Sequence, residues 1–136
     1  MHFRPIFVAL ALCVPAMPAL AQDQPLRCVI SVLCLETNPC GDWDQVLTIS
    51  EMDEGWNVEW NGTDQPTDYE LIADLSAPDG AIISVRMRTL IHRNLATQAV
   101  QVLSFDDIGN ITLTGQQPHI RPRAVTGFGT CESIAE

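Results

Sequence analysis

The sequence contains no lysine, and its seven basic residues are all arginines, against seventeen Asp and Glu residues. Proteins that bind nucleic acid or an anionic lipid surface use clustered cations to do so. The scarcity of positive charge therefore excludes nucleic acid as a partner and argues against attraction to such a membrane surface. The acids are concentrated at positions 22–79, which hold thirteen of them and one arginine. This acidic half favours either a solvated surface that maintains solubility or a docking surface for a basic partner.

The sequence also lacks an apolar run of the ~20 residues that a membrane-spanning helix needs. Positions 6–14 are apolar, they follow Arg4, and a small-x-small cleavage pattern ends at Ala21. These features predict a secretory signal peptide over 1–21, followed by a single all-β domain over 22–136. We expect a periplasmic or secreted protein without a membrane span.

Four cysteines remain after the predicted signal peptide: Cys28, Cys34, Cys40 and Cys131. An even number in an exported domain predicts two disulfides. Positions 28–35 look like one strand, which would hold Cys28 and Cys34 too far apart to bridge. A turn can bring Cys40 back to Cys34, so Cys34–Cys40 with Cys28–Cys131 is favoured. The alternative is Cys28–Cys40 with Cys34–Cys131.

Patterns for metal ions or cofactors are weak. The six-residue spacing of the first three cysteines is wider than a zinc knuckle, and an oxidising compartment disfavours free thiolates. Asp106 to Asn110 resembles a calcium loop only superficially, because its acids and glycine already fit a tight turn. We therefore expect no metal and no cofactor.

Helical periodicity is weak, whereas alternation of apolar and polar residues is common and turn signals recur at short intervals. This pattern is typical of an all-β domain of about eight strands. Sequential hairpins favour a small up-and-down antiparallel barrel or meander, with a β-sandwich as the alternative. Positions 90–96 fit neither period and are expected to form a bend or a short helix.

Three hairpins can be registered from the alternation. For the hairpin with its turn at 107–109, we expect Phe105 opposite Ile111 and Leu103 opposite Leu113. For the hairpin with its turn at 52–55, we expect Ile49 opposite Val58 and Leu47 opposite Trp60. A turn at 78–80 would have three apolar pairs on one face and two polar pairs on the other. The predicted pairs are Leu75 with Ile83, Ala73 with Val85, Leu71 with Met87, Glu70 with Arg88, and Asp74 with Ser84.

The tryptophans suggest two environments. Trp56 and Trp60 share a strand face opposite apolar residues, which predicts core positions. Trp43 lies between Asp42 and Asp44 in what looks like a polar loop, and is therefore the ring most expected to be exposed. We take the candidate partner contact to be Trp43, Asp42, Asp44 and Glu36.

The sequence offers little for catalysis. There is no Gly-x-Ser-x-Gly motif, and the cysteines are expected to be in disulfides. His92 is predicted to share an outward face with Arg86 and Arg88, and His119 is read as a surface residue. An enzyme would need a cleft that joins one of these histidines to a carboxylate, and no catalytic residue is assigned.

Three features of the sequence are similar to those of a known group of proteins. They are the early cluster of Cys28, Cys34 and Cys40, the strand end at 103–106 before its turn, and the terminal segment 129–132. In these features the sequence resembles small exported, disulfide-containing β-proteins of Gram-negative bacteria. The resemblance implies export and a β fold, and it implies no activity.

We predict a non-enzymatic binding module that engages a protein or envelope component through loops and its acidic surface. The alternatives are a small-ligand carrier with a site inside a barrel, or an inhibitor of an envelope-directed enzyme.

Overall fold

The computed structural model describes residues 24–134 as eight antiparallel strands that close into a barrel in chain order. β8 pairs back with β1, which confirms the up-and-down barrel and removes the sandwich alternative. The predicted signal peptide over 1–21 lies outside the described residues. Within residues 24–134, no helix is long and apolar enough to cross a membrane. The strands are β1 Leu26–Leu35, β2 Asn38–Glu51, β3 Trp56–Trp60, β4 Thr67–Leu75, β5 Met87–Asn94, β6 Ala99–Asp106, β7 Asn110–Gln116 and β8 Ala124–Ser133.

The two disulfides are Cys28–Cys131 and Cys34–Cys40, as the favoured pairing predicted. Cys28 and Cys131 are register partners on β1 and β8, so the first bridge fastens the first strand to the last. The second bridge spans the tight turn between β1 and β2. Two disulfides indicate an oxidising, extracytoplasmic environment.

The hairpins at 52–55 and 107–109 have the predicted registers. Ile49 lies opposite Val58, and Phe105 lies opposite Ile111. Gly55 and Gly109 adopt φ values of 83° and 100° in these turns, a region that glycine enters without a steric penalty. Local turn chemistry and a short loop therefore fixed both registers.

The predicted register of the third hairpin is wrong. Leu75 lies opposite Met87 rather than Ile83, and residues 76–86 form a loop. Arg86 in that loop donates to both carboxylate oxygens of Asp74 at 2.8 and 2.7 Å. The loop is thereby held by an ion pair, and the apolar partners that the alternation offered at 81–85 are not used.

Residues 90–96 also differ from the prediction, because β5 continues through Asn94. The chain turns only after that point, where the Asn94 side-chain oxygen accepts from the backbone N–H groups of Ala96 and Thr97 at 3.1 and 3.2 Å. The new register places Arg88 and His92 on the inner face of the barrel rather than the predicted outer face. The predicted Glu70–Arg88 pair is replaced by one between Glu70 and Arg93 at 2.9 Å.

The barrel has two unlike ends. The packed end carries the connections 52–55, 76–86 and 107–109, and the open end carries 36–37, 61–66, 95–98 and 117–123. Trp56 contacts Phe105 edge to face at 5.7 Å near the packed end, and the Arg88 guanidinium lies over both rings. Phe128 is 45% exposed on the outer face. The buried apolar core comprises Cys28, Ile30, Leu47, Ile49, Trp56, Val58, Tyr69, Leu90, Leu103, Phe105, Ile111 and Leu113.

Candidate functional site: a pocket at the open end

A pocket of about 380 Å³ enters the barrel interior from the open end. Its volume falls within the range of about 300–1,000 Å³ that small-molecule sites occupy. Seven of the eight strands contribute inward-facing residues to its wall. The lining residues are Trp43, Gln45, Trp60, Thr67, His92, Asn94, Ala99, Gln101, Leu113, Gly115 and Val125.

Trp43 belongs to this pocket. It lies on β2 rather than in a loop, because the β1–β2 hairpin turns tightly at 36–37 and β2 begins at Asn38. Successive strand residues face opposite sides, so Trp43 faces inward, half-buried against the core, and Asp42 and Asp44 are exposed. The Trp43 ring and the carboxylates of Asp42 and Asp44, which were predicted to form one contact, therefore lie on opposite faces of the barrel wall.

Glu36 has a different role at the same end. Its carboxylate accepts a hydrogen bond from the backbone N–H of Arg123 at 2.8 Å, and the Arg123 side chain lies 3.6 Å from it. These contacts hold the pKa of Glu36 below its ordinary value, the backbone hydrogen bond being the main cause. Of the four residues predicted to form one contact, Glu36 therefore fastens the 117–123 connection at the open end.

A hydrogen bond fixes the inner part of the pocket. The Tyr69 hydroxyl contacts the side-chain oxygen of Gln101 at 2.7 Å. Burial raises the pKa of Tyr69 to about 12, so the hydroxyl keeps its hydrogen and donates it to the amide oxygen. The orientation of the Gln101 amide is thereby set.

His92 lies beside this hydrogen bond. Its Nδ1 is 2.9 Å from the backbone carbonyl oxygen of Asp68, and its ring packs at 5.4 Å from the ring of Tyr69. A carbonyl oxygen only accepts, so Nδ1 carries the hydrogen and Nε2 of the neutral ring is an acceptor. His92 and Gln101 are also direct register partners on β5 and β6. The inner wall therefore holds an acceptor and a donor side by side.

The pocket wall is neutral in an acidic protein. The lining residues within the described part of the chain include no Asp, Glu or Arg. They combine indole rings and aliphatic side chains with amides, one hydroxyl and one imidazole. A charged ligand would lose hydration here without gaining an opposite charge, so the wall suits an uncharged molecule.

The site offers little to a metal ion or to acid–base chemistry. Within residues 24–134 no three His, Cys, Asp or Glu side chains are grouped so that they could hold a metal. His92 meets a backbone carbonyl and an aromatic ring, and His119 contacts the Gln98 side chain at 3.1 Å. What the arrangement supplies is a shaped cavity with fixed hydrogen-bonding groups.

Sequence reasoning missed His92, Gln101 and Gln45 as site residues. A usable signal was present, since Gln45 and Gln101 each precede two buried apolar residues at alternate positions, such as Leu103 and Phe105 after Gln101. Such a pattern places a polar side chain on the inner face near one strand end. Two strands with that pattern, β2 and β6, would have indicated a polar mouth.

Comparison with known proteins adds no relative to this picture: no family model matches the chain, and neither a curated protein nor a solved structure is significantly similar to it.

Proposed function

We propose that this protein is an exported, non-enzymatic binding module that takes a small uncharged ligand into the open end of its barrel. The observation that carries the proposal is the 380 Å³ pocket with its neutral wall. The barrel is not filled by its tryptophans, since Trp43 and Trp60 line the cavity rather than close it. Of the functions considered from the sequence, the small-ligand carrier is the one this geometry supports best.

The packed end gives the pocket a rigid base. Leu90, Leu103 and Phe105 are almost completely buried on β5 and β6, the same two strands that present His92 and Gln101 to the ligand. A binding group held on a well-packed strand loses little conformational entropy when a ligand arrives. The acidic outer surface favours solubility and disfavours anionic ligands.

Native mass spectrometry on protein purified from its own secretory compartment, without refolding, tests this proposal. We expect an additional mass of small-molecule size that is lost on denaturation. A pocket-blocking variant, Ala99→Phe, should lack that mass, because position 99 lines the mouth. Thr114→Phe is the matched control, since Thr114 is exposed on the neighbouring β7. Equal loading of both variants, or protein that neither carries nor takes up any neutral compound, would contradict the proposal.

A further inference from the structure

The pocket has the chemistry of a site for a neutral sugar ring, and we infer that its ligand class is an uncharged pyranose, free or as one residue of a glycan. This inference rests on the proposed function and specifies its ligand. It follows from three features of the wall: two indole rings, a fixed donor–acceptor pair, and several further polar groups without formal charge.

The first feature is the aromatic surface. Trp43 and Trp60 both border the cavity. The face of an indole ring carries partial negative charge, and the C–H face of a pyranose carries partial positive charge, so the two attract while water is excluded. The Trp60 ring is also held in place, because it is partly buried and packs against the core. A preorganised ring of this kind is a platform for a flat, partly apolar face.

The second feature is the pair formed by His92 and Gln101. Tyr69 occupies the Gln101 amide oxygen at 2.7 Å, which leaves the amide N–H₂ as the group to offer. The Asp68 carbonyl takes the Nδ1 hydrogen of His92, which leaves Nε2 as an acceptor. Directly paired residues on antiparallel strands have Cβ atoms about 4.5–5.5 Å apart. Adjacent sugar hydroxyls match such a pair, because each hydroxyl both donates and accepts.

The third feature is what surrounds the pair. Gln45, Asn94 and Thr67 add amides and a hydroxyl to the wall, whereas Leu113 and Val125 add apolar surface. Groups that can both donate and accept suit a ligand that carries hydroxyls around its edge. A purely apolar ligand would leave these groups without hydrogen bonds, and each buried group left unpaired would weaken binding.

The test uses ligand-observed NMR and isothermal titration calorimetry on the purified full-length mature protein. The probes are methyl β-glucopyranoside, N-acetylglucosamine and cellobiose as neutral sugars, glucuronate as a charged sugar, and uracil and indole as flat non-sugars. We expect saturable binding of at least one neutral sugar and weaker binding of glucuronate. Ala99→Phe should abolish the sugar signal, and Thr114→Phe should preserve it.

Gln101→Glu is the decisive variant. A glutamate keeps an oxygen acceptor for the Tyr69 hydroxyl, so the inner hydrogen bond and the fold are retained, but it removes the two N–H donors. We expect sugar affinity to fall about tenfold or more, the effect of losing one well-made hydrogen bond in a desolvated site. Gln116→Glu makes the same charge change at an exposed position of β7 and should leave affinity unchanged.

The outcomes separate the ligand class from the function. Binding of uracil or indole alone, blocked by Ala99→Phe, would overturn the sugar inference and leave the proposed function standing. Sugar binding that survives both Ala99→Phe and Gln101→Glu would show a site elsewhere and overturn the inference. If no probe binds and the protein from its own compartment carries no ligand, both the inference and the proposed function fail.

Discussion

The two ends of the barrel are built by the same eight strands, yet they hold opposite kinds of interior. At the packed end the inward-facing residues are large and apolar, with Trp56 against Phe105 and the Arg88 guanidinium over both rings. At the open end the same strands present His92, Gln101 and a half-buried tryptophan to a cavity. A closed sheet removes the edges that would otherwise need partners, so one end of its interior can stay unfilled. In the proposed function, stability and binding are thus assigned to different ends.

The largest expected contrast is between the disulfides. Cys28–Cys131 closes a separation of 103 residues, and Cys34–Cys40 closes one of 6. In the chain-entropy account, replacing both members of the first pair with alanine should cost about 4–5 kcal/mol of unfolding free energy, against about 2 kcal/mol for the second. Urea unfolding of the two double variants under non-reducing conditions measures both values. Equal losses of unfolding free energy would mean that the stabilisation by the Cys28–Cys131 disulfide does not depend mainly on the length of the loop that it closes.

A smaller contrast is expected between aromatic residues at the two ends. Phe105→Ala should cost about 3–5 kcal/mol, because the side chain is fully buried and its loss leaves a cavity. Trp43→Ala, at a half-buried position bordering the pocket, should cost about 1 kcal/mol. Ligand affinity should follow the reverse order, with a large loss for Trp43→Ala and little change for Phe105→Ala under folding conditions. A Trp43→Ala protein that is as unstable as Phe105→Ala would show that the open end is part of the structural core.

The smallest expected effect is at the β6–β7 turn of the packed end. The Asp106 carboxylate accepts from the backbone N–H groups of Ile108 and Asn110 at 3.1 and 2.8 Å, and from the Asn110 side chain at 2.8 Å. Desolvation alone would raise the pKa of Asp106, but these hydrogen bonds together lower it below its ordinary value. The carboxylate therefore stabilises the fold above its unfolded pKa, and this contribution is lost as pH falls through the lower folded value.

Asp106→Ala should reduce the unfolding free energy by about 1 kcal/mol at neutral pH and by less near pH 3. Urea midpoints at the two pH values measure this difference, with the exposed Asp64→Ala as the control. A loss that is the same at both pH values would mean that the turn is held by its backbone conformation rather than by the charged oxygen.

The packed end was largely predictable. Pairings such as Ile49 with Val58 and Phe105 with Ile111 follow from short turns and strict alternation, and they place these core residues correctly. The open end was not. The inward position of His92 depends on the register of β5 against β4. The two strands are joined by an eleven-residue loop, which does not fix that register, so the alternation of apolar and polar residues predicted the wrong partners for β4.

The sequence alone predicted an all-β fold of about eight strands, and it favoured the barrel and the disulfide pairing that the structure has, because alternation, turn residues and cysteine spacing act locally or through one covalent link. Only the tertiary structure decided that Trp43 lies inside the barrel and that His92 and Gln101 are neighbours. Those facts depend on how strands far apart in the chain are aligned around a closed sheet, and no local pattern encodes that alignment by itself.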